Sequence, residues 1–150
     1  LNVGVVSGGT GPNVVPEEAT LHLDLRAIEP ATMTLAEAEI EQIAAMSSVP
    51  DVTCTLEHGG RFGPMVRSAG TARLAEQAIA LAGRLGFELR DVATGGGSDA
   101  GTLSGLGVPV LDGLGPIGGN DHAPGEYLEI ESIVPRTALL AALLLGESRA

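Results

Sequence analysis

Gly118-Gly119-Asn120-Asp121-His122-Ala123-Pro124-Gly125-Glu126-Tyr127 sets a single imidazole between glycine punctuation and a Pro-Gly turn. Gly and Pro at this density predict irregular backbone, and loops on a rigid scaffold are where binding and catalytic groups concentrate. By residue type alone, a lone loop His is more often a surface or hydrogen-bonded structural residue than a ligand. A second glycine cluster, Thr94-Gly95-Gly96-Gly97-Ser98-Asp99-Ala100-Gly101, lies upstream. Two such loops so close in sequence point to a site.

The segments around these loops predict an α/β alternation. Residues 71–85 read as an Ala-rich helix with Leu74, Ala78, Leu81 and Leu85 on one stripe and Gly86 at its C-terminus. Phe87 to Ala93 reads as a strand entering the triple-glycine loop. Ser98 is placed to cap a short helix that Gly107 ends, Val108 to Leu111 reads as the next strand, and Pro135 to Gly146 as the last helix. In such an open sheet, ligands bind outside the carboxyl ends of the strands, where both glycine loops fall. Gly95-x-Gly97-x-x-Ala100 also satisfies a dinucleotide-binding fingerprint. The helix after it is short for a parallel crossover, however, and Asp112 arrives early for a ribose ligand. A tight turn of purely structural purpose is a further reading.

The first sixty residues read β-β-α-β. Leu1 to Ser7 is a strand, Gly8 to Pro12 a turn, and Ala19 to Ile28 a second strand with Leu21, Leu23 and Leu25 towards a core and His22, Asp24 and Arg26 opposite. Thr34-Leu35-Ala36-Glu37 has the capping-box pattern and predicts a helix to about Ser47 that buries Leu35, Ile43 and Met46. Residues 51–58 read as a third strand. Val52, Cys54 and Leu56 share one of its faces, so the lone Cys54 is expected to be an inert core thiol. The Gly59-Gly60-Arg61-Phe62-Gly63-Pro64 run reads as a linker between parts 1–63 and 64–150.

Composition narrows the function classes. The chain of 150 residues has a net charge of −11 and its eight basic residues are all Arg, spread singly. Nucleic-acid binding needs clustered cations, so that class is excluded. No apolar run approaches the roughly 20 residues of a membrane span. One Cys excludes an internal disulfide. The chain opens in strand-like alternation without an initiator Met, so it reads as a segment of a longer protein. The compartment stays open, with the cytoplasm favoured over an exported form.

A third motif, Ser7-Gly8-Gly9-Thr10-Gly11-Pro12-Asn13-Val14-Val15-Pro16 followed by Asp24-Leu25-Arg26, joins the two glycine loops. In this order the three motifs resemble the C-terminal part of the dinuclear-zinc exopeptidases and amidohydrolases. That family includes glutamate carboxypeptidase, aminoacylase, acetylornithine deacetylase and succinyl-diaminopimelate desuccinylase. The resemblance implies an α/β protein: a partial ferredoxin-like dimerisation or lid domain over 1–63, then the C-terminal half of an open-sheet catalytic domain over 64–150.

The resemblance also implies amide hydrolysis next to a free carboxylate, on an N-acyl amino acid or peptide, with two Zn²⁺ per active site. His122 would be the one zinc ligand in this segment, with Asp121 or a backbone carbonyl orienting its other nitrogen. Arg26 matches the position that grips the substrate carboxylate, Asn13 a lid amide at the substrate, and Arg61 a second carboxylate-binding arginine. Gly97 and Ser98 would complete the pocket. His22-Leu23-Asp24 imitates the family's His-x-Asp ligand pair but lies on the lid strand. The true pair, the bridging Asp and the catalytic Glu would lie upstream of Leu1. The segment then carries no catalytic base and is expected to be inactive alone. A homodimer through the lid is implied, with residues 34–47 as its outer helix. The alternatives are a non-catalytic dimerisation or binding module and, less favoured, a dinucleotide-binding domain.

Overall fold

The computed structural model describes residues 1–46 and 49–147. The chain is a mixed α/β protein whose described elements are four α-helices, one 3₁₀ turn (Ile130–Ser132) and two short antiparallel sheets. It forms two compact units, Leu1–Pro64 and Met65–Ala150.

In the first unit, β1 (Asn2–Gly8) pairs antiparallel with β2 (Ala19–Asp24), from Gly8 opposite Ala19 to Asn2 opposite Asp24. The register slips between Val3 and Val5, which makes Gly4 a bulge residue. Helix α1 (Pro30–Ala45) starts four residues before the capping-box motif. Proline at the first helical position has its φ preset and no amide to leave unsatisfied, and this wins over the capping box. Thr34 therefore lies inside the helix, where its hydroxyl donates to the Pro30 carbonyl at 3.1 Å.

Burial corrects the expected inner face of α1. Met33, Ala36, Glu37, Ile40 and Ala44, at helical spacing, form the less exposed stripe. Leu35, Ile43 and Met46 are 73%, 59% and 69% exposed on another side. Ser47, the expected helix end, lies outside the described residues. Leu21 and Leu23 are likewise exposed, and only Leu25 is half-buried.

Residues 51–58 form no ladder, so β-β-α-β becomes β-β-α followed by irregular chain. A strand needs an unpaired edge to join, and this segment is tied instead to α1: Arg61 pairs with Glu37 at 2.6 Å and His58 lies 3.6 Å from Glu41, acids one helical turn apart. Outside any sheet, Cys54 is exposed, not a core thiol.

The second unit is built on α2 (Ala69–Arg84) and α4 (Ile133–Glu147). Ser68 caps α2 by accepting from the Thr71 amide at 3.0 Å, and Gly86, at φ +88°, follows its end. Ala78 and Ala82 meet Leu139 and Leu143 of α4 in the core. The side chains are small on one helix and large on the other, so the axes approach closely without a void. Phe87, Leu89, Leu111 and Leu114 pack around this contact. Helix α3 (Asp99–Gly105) is short and capped by Ser98.

The expected strands at 87–93 and 108–111 do not pair, and the described sheets are two-stranded and antiparallel. Parallel pairing is the weaker ladder per residue and needs flanking neighbours that the described residues do not offer. The alternation of 87–90 survives in burial: Phe87 and Leu89 face the helices while Glu88 and Arg90 stay out, joined at 2.7 Å.

Leu139 is fully buried against the two alanines. Leu139→Ala should cost about 2–4 kcal/mol in denaturant unfolding of the second unit, because it opens a void against Ala78 and Ala82 that these small side chains cannot fill. Leu140→Ala, on the half-open side of α4, should cost well under half of that. Equal costs would mean that the α2–α4 contact is not the core.

Candidate functional site

The glycine-rich stretch around His122 is a miniature hairpin. Strand β3 (Gly118–Gly119) pairs antiparallel with β4 (Tyr127–Leu128), and Asn120 to Glu126 form the loop. Gly118 is required by close approach to backbone, and Gly119 leaves room for the Tyr127 ring. A Cβ on Gly118 would sit 2.7 Å from the Tyr127 carbonyl oxygen, and one on Gly119 would meet the Tyr127 ring at 2.8 Å. Two successive turns close the loop: the Ala123 amide donates to the Asn120 carbonyl at 3.0 Å and the Glu126 amide to the Ala123 carbonyl at 3.1 Å. The Asn120 side-chain amide donates to the Gly125 carbonyl at 3.3 Å.

Asn120 and His122 both hold left-handed backbone, at φ +59° and +62°, and Gly125 lies at +89°. Asn tolerates this region and His enters it more readily than bulky residues, at a conformational cost that the surrounding hydrogen bonds must overcome. The result presents His122 as an exposed imidazole whose ring makes no hydrogen bond among the described residues. The expected contact of its ring with Asp121 does not form. Beside it, a shallow open depression of about 470 Å³ is lined by Pro116, Gly118, Asp121, Glu126, Tyr127 and Leu128. Its two carboxylates give it acidic character.

An exposed imidazole without a competing hydrogen bond suits a metal ligand, since either ring nitrogen can give its lone pair to Zn²⁺. One such group does not make a site, and among the described residues no three His, Cys, Asp or Glu side chains come together as a cage.

The triple-glycine loop leads into α3. The Ser98 hydroxyl accepts from the Ala100 amide at 3.1 Å, and the Ser98 carbonyl accepts from the Gly101 amide at 3.0 Å. Ser98 is thus engaged as a helix cap, and Gly97 precedes it on irregular, exposed chain. With no strand before the loop and a helix of only seven residues after it, the dinucleotide geometry is not present.

Arg26 and Arg61 are engaged with carboxylates. Arg26, just past β2, forks onto Asp24: its Nε lies 3.0 and 3.2 Å from the two carboxylate oxygens and a terminal nitrogen lies at 2.8 Å. These hydrogen bonds first, and then the charge of Arg26, hold the Asp24 carboxyl below its ordinary pKa, while Asp24 raises that of Arg26. Arg61 is tied to Glu37 as described. His22 lies on β2 with no metal partner, because Asp24 is turned to Arg26. Asn13 is exposed in the β1–β2 connection, at the turn where the Val14 amide donates to the Gly11 carbonyl at 3.2 Å.

Asn13, Arg26 and Arg61 therefore belong to the first unit, and Gly97, Ser98 and His122 to the second. Two residues of the hairpin's support escaped sequence reading, Ser132 and Arg136. The run Ser132-Ile133-Val134-Pro135-Arg136 reads only as a helix start, and nothing in it signals contacts many residues upstream.

Residues 2–146 match the family described as Peptidase family M20/M25/M40. The chain is 32% identical over 153 aligned residues to Carboxypeptidase G2 of Pseudomonas sp. (strain RS-16), covering 97% of this chain and 35% of that protein. It is 26% identical over 153 aligned residues to Uncharacterized protein YqjE of Bacillus subtilis (strain 168), covering 95% of this chain and 38% of that protein. The chain thus spans little more than a third of the length of the curated relatives it matches.

The Asp24–Arg26 fork carries a pH dependence whose sign is fixed. A carboxyl with a depressed folded pKa contributes stability above its unfolded pKa and loses it as pH falls through the lowered folded value. The pair is exposed, so the contribution is small and weakened by salt. In a carbon-detected NMR titration, Asp24 should titrate below an ordinary exposed Asp and return to ordinary behaviour in Arg26→Ala. An Asp24 curve indifferent to that substitution would show that the fork is not populated in solution.

Proposed function

We propose that this chain, which belongs to peptidase family M20/M25/M40, is the C-terminal segment of a zinc-dependent hydrolase that cleaves an amide bond next to a free carboxylate. The observation that carries the reading is the His122 hairpin, which spends backbone strain at two residues to present one unengaged imidazole. On this reading the first unit is a lid and dimerisation part, and the second is the later part of a catalytic domain. Zinc, held by His122 together with ligands outside this chain, would supply Lewis-acid chemistry at the scissile carbonyl. The general base is likewise expected outside the chain, so the segment alone is inactive.

The chain's own contribution is substrate recognition. A carboxypeptidase substrate ends in a free carboxylate, and Carboxypeptidase G2 is the named relative. A guanidinium fork is the side chain best matched to that group. Arg26 is already oriented by Asp24, so a substrate carboxylate meets a preset fork and competes with Asp24 for it. Arg61, held by a single contact from a terminal nitrogen to Glu37 at 2.6 Å, is the second candidate clamp.

The β1–β2 hairpin bears on assembly. Asn13 lies in the connection beyond the Gly8–Ala19 end, and Arg26 lies beyond the Asn2–Asp24 end. The ladder between these ends is roughly 20 Å long at about 3.3 Å per residue. A small amide substrate cannot span that length, so if both residues touch it they come from different copies. The exposed stripe of Leu35, Ile43 and Met46 on α1 and the exposed edge of the hairpin supply a surface for a two-fold pair. The same stripe favours the second reading, a non-catalytic dimerisation module. An intact His-x-Asp pair and Glu-Glu upstream in the parent decides between them.

In the parent, Arg26→Ala should raise the barrier to cleavage of carboxylate-bearing substrates by about 1.5–3 kcal/mol in kcat/KM. Lysine at the same position should recover only part of this. Amidated analogues cleaved as well as free acids would refute the clamp.

Asn13→Ala and His122→Ala parents should each be nearly inactive. Mixed and allowed to exchange, they should regain about a quarter of the wild-type turnover, because random pairing makes half the dimers mixed, each with one intact site. No recovery in exchanged heterodimers would mean that Asn13 does not act across the interface.

A further inference from the structure

We infer that Ser132 and Arg136, at the start of α4, are positioning residues that aim the His122 hairpin from the helical core. The inference deepens the reading of His122 as a zinc ligand and rests on it for its functional consequence. Strands of two residues cannot orient themselves, because an isolated hairpin even longer than this is marginal in water. The direction of the loop must therefore be set at its root.

The root is held at three levels: within the hairpin's own ladder, by Ser132 in the 3₁₀ turn Ile130–Ser132 that leads into α4, and by Arg136 of α4. The Glu129 amide donates to the Ile117 carbonyl at 2.8 Å, extending the ladder beyond Gly118 and Leu128. The buried Ser132 hydroxyl accepts from the Ile117 amide at 2.8 Å and donates to the Glu129 carbonyl at 2.5 Å, locking both strands at once. Arg136 donates from Nε to the Gly115 carbonyl at 2.9 Å and from a terminal nitrogen to the Gly113 carbonyl at 3.1 Å, holding the chain that enters β3. Arg136, Leu139 and Leu143 are spaced by three and four residues, so they fall on one side of α4, and Ser132 lies in the 3₁₀ turn that leads into it. Leu139 and Leu143 are the α4 half of the core. One face thus joins the rigid helix pair to the irregular segment that carries the imidazole.

A matched control exists in the same unit. The Ser104 hydroxyl is also buried, accepting from the Val66 amide at 2.8 Å and donating to the Val66 carbonyl at 3.0 Å, but it ties α3 to the chain before α2. Ser132→Ala and Ser104→Ala each remove one donor and one acceptor from a buried pair, so both should lower the melting temperature to a similar extent. Only Ser132→Ala should speed amide exchange at Ile117 and Glu129, by about tenfold, and shift the Asn120 and His122 backbone resonances away from their positive-φ values. Ser132→Thr, which keeps the hydroxyl, should restore both. If Ser132→Ala does not fold, Arg136→Gln takes its place, with Arg136→Lys as the partial rescue. The zinc content of the purified parent should fall with Ser132→Ala and hold with Ser104→Ala. Asn120 and His122 resonances that stay in place in both Ser132→Ala and Arg136→Gln would overturn the inference. Should His122→Ala leave the zinc content of the parent intact, the ligand reading fails while the exchange data still decide the positioning one.

Discussion

The contact of Ala78 and Ala82 with Leu139 and Leu143 is the interaction on which the second unit depends. Aromatic side chains are scarce here, with two Phe, one Tyr and no Trp in the chain. With few rings to fill it, the core gains its density from close helix approach, and alanine on one helix makes that approach possible. Phe87, Leu89, Leu111 and Leu114 then cover the pair although their segments have no ladder of their own. The irregular chain is held by apolar contact with the helices in place of sheet hydrogen bonding.

From that pair, rigidity passes outward to the candidate site through polar groups on α4 and in the turn before it. Ser132 and Arg136 satisfy backbone amides and carbonyls that a longer ladder would otherwise satisfy. The loop they support contains two non-glycine residues in left-handed backbone, a cost tolerated only when the surroundings fix the conformation. Paired regular structure would serve stability more cheaply. A strained loop that exposes an imidazole is better explained by the imidazole.

Helices α2 and α3 were legible in the sequence because Ser98 caps α3 and Gly86 and Gly107 follow their ends at positive φ, while the Ser68 cap, which starts α2 two residues ahead of the expected Thr71, went unread. The loop around His122 was legible from its glycines and proline, but Gly118 and Gly119 proved to be a short strand, where a Cβ on Gly118 would collide with the Tyr127 backbone. Strands fared worse. Residues 51–58, 87–93 and 108–111 carry alternation, but alternation states only which side faces in, and a ladder depends on a neighbour that no local pattern specifies. The start of α1 was misplaced because two valid signals compete, and Pro30 outranks the box at Thr34 and Glu37. The partners of the arginines were invisible for a different reason. Glu37 and Arg61 are far apart in sequence, and only the path of the intervening chain brings them together.

Those ion pairs bear on how an acidic chain could take an acidic substrate. With a net charge of −11, the chain repels anions at long range, so recognition must arise within a few ångströms of particular cations. Arg26, Arg61, Arg67 and Arg90 each face a carboxylate, from Asp24, Glu37, Asp91 and Glu88. An incoming carboxylate at Arg26 would exchange one anion for another, which limits net affinity but demands the same planar, two-point geometry that Asp24 already occupies. Anions of other shape would displace Asp24 without replacing both of its hydrogen bonds. On the proposed reading, the pairing therefore favours selectivity for carboxylate over strength of binding.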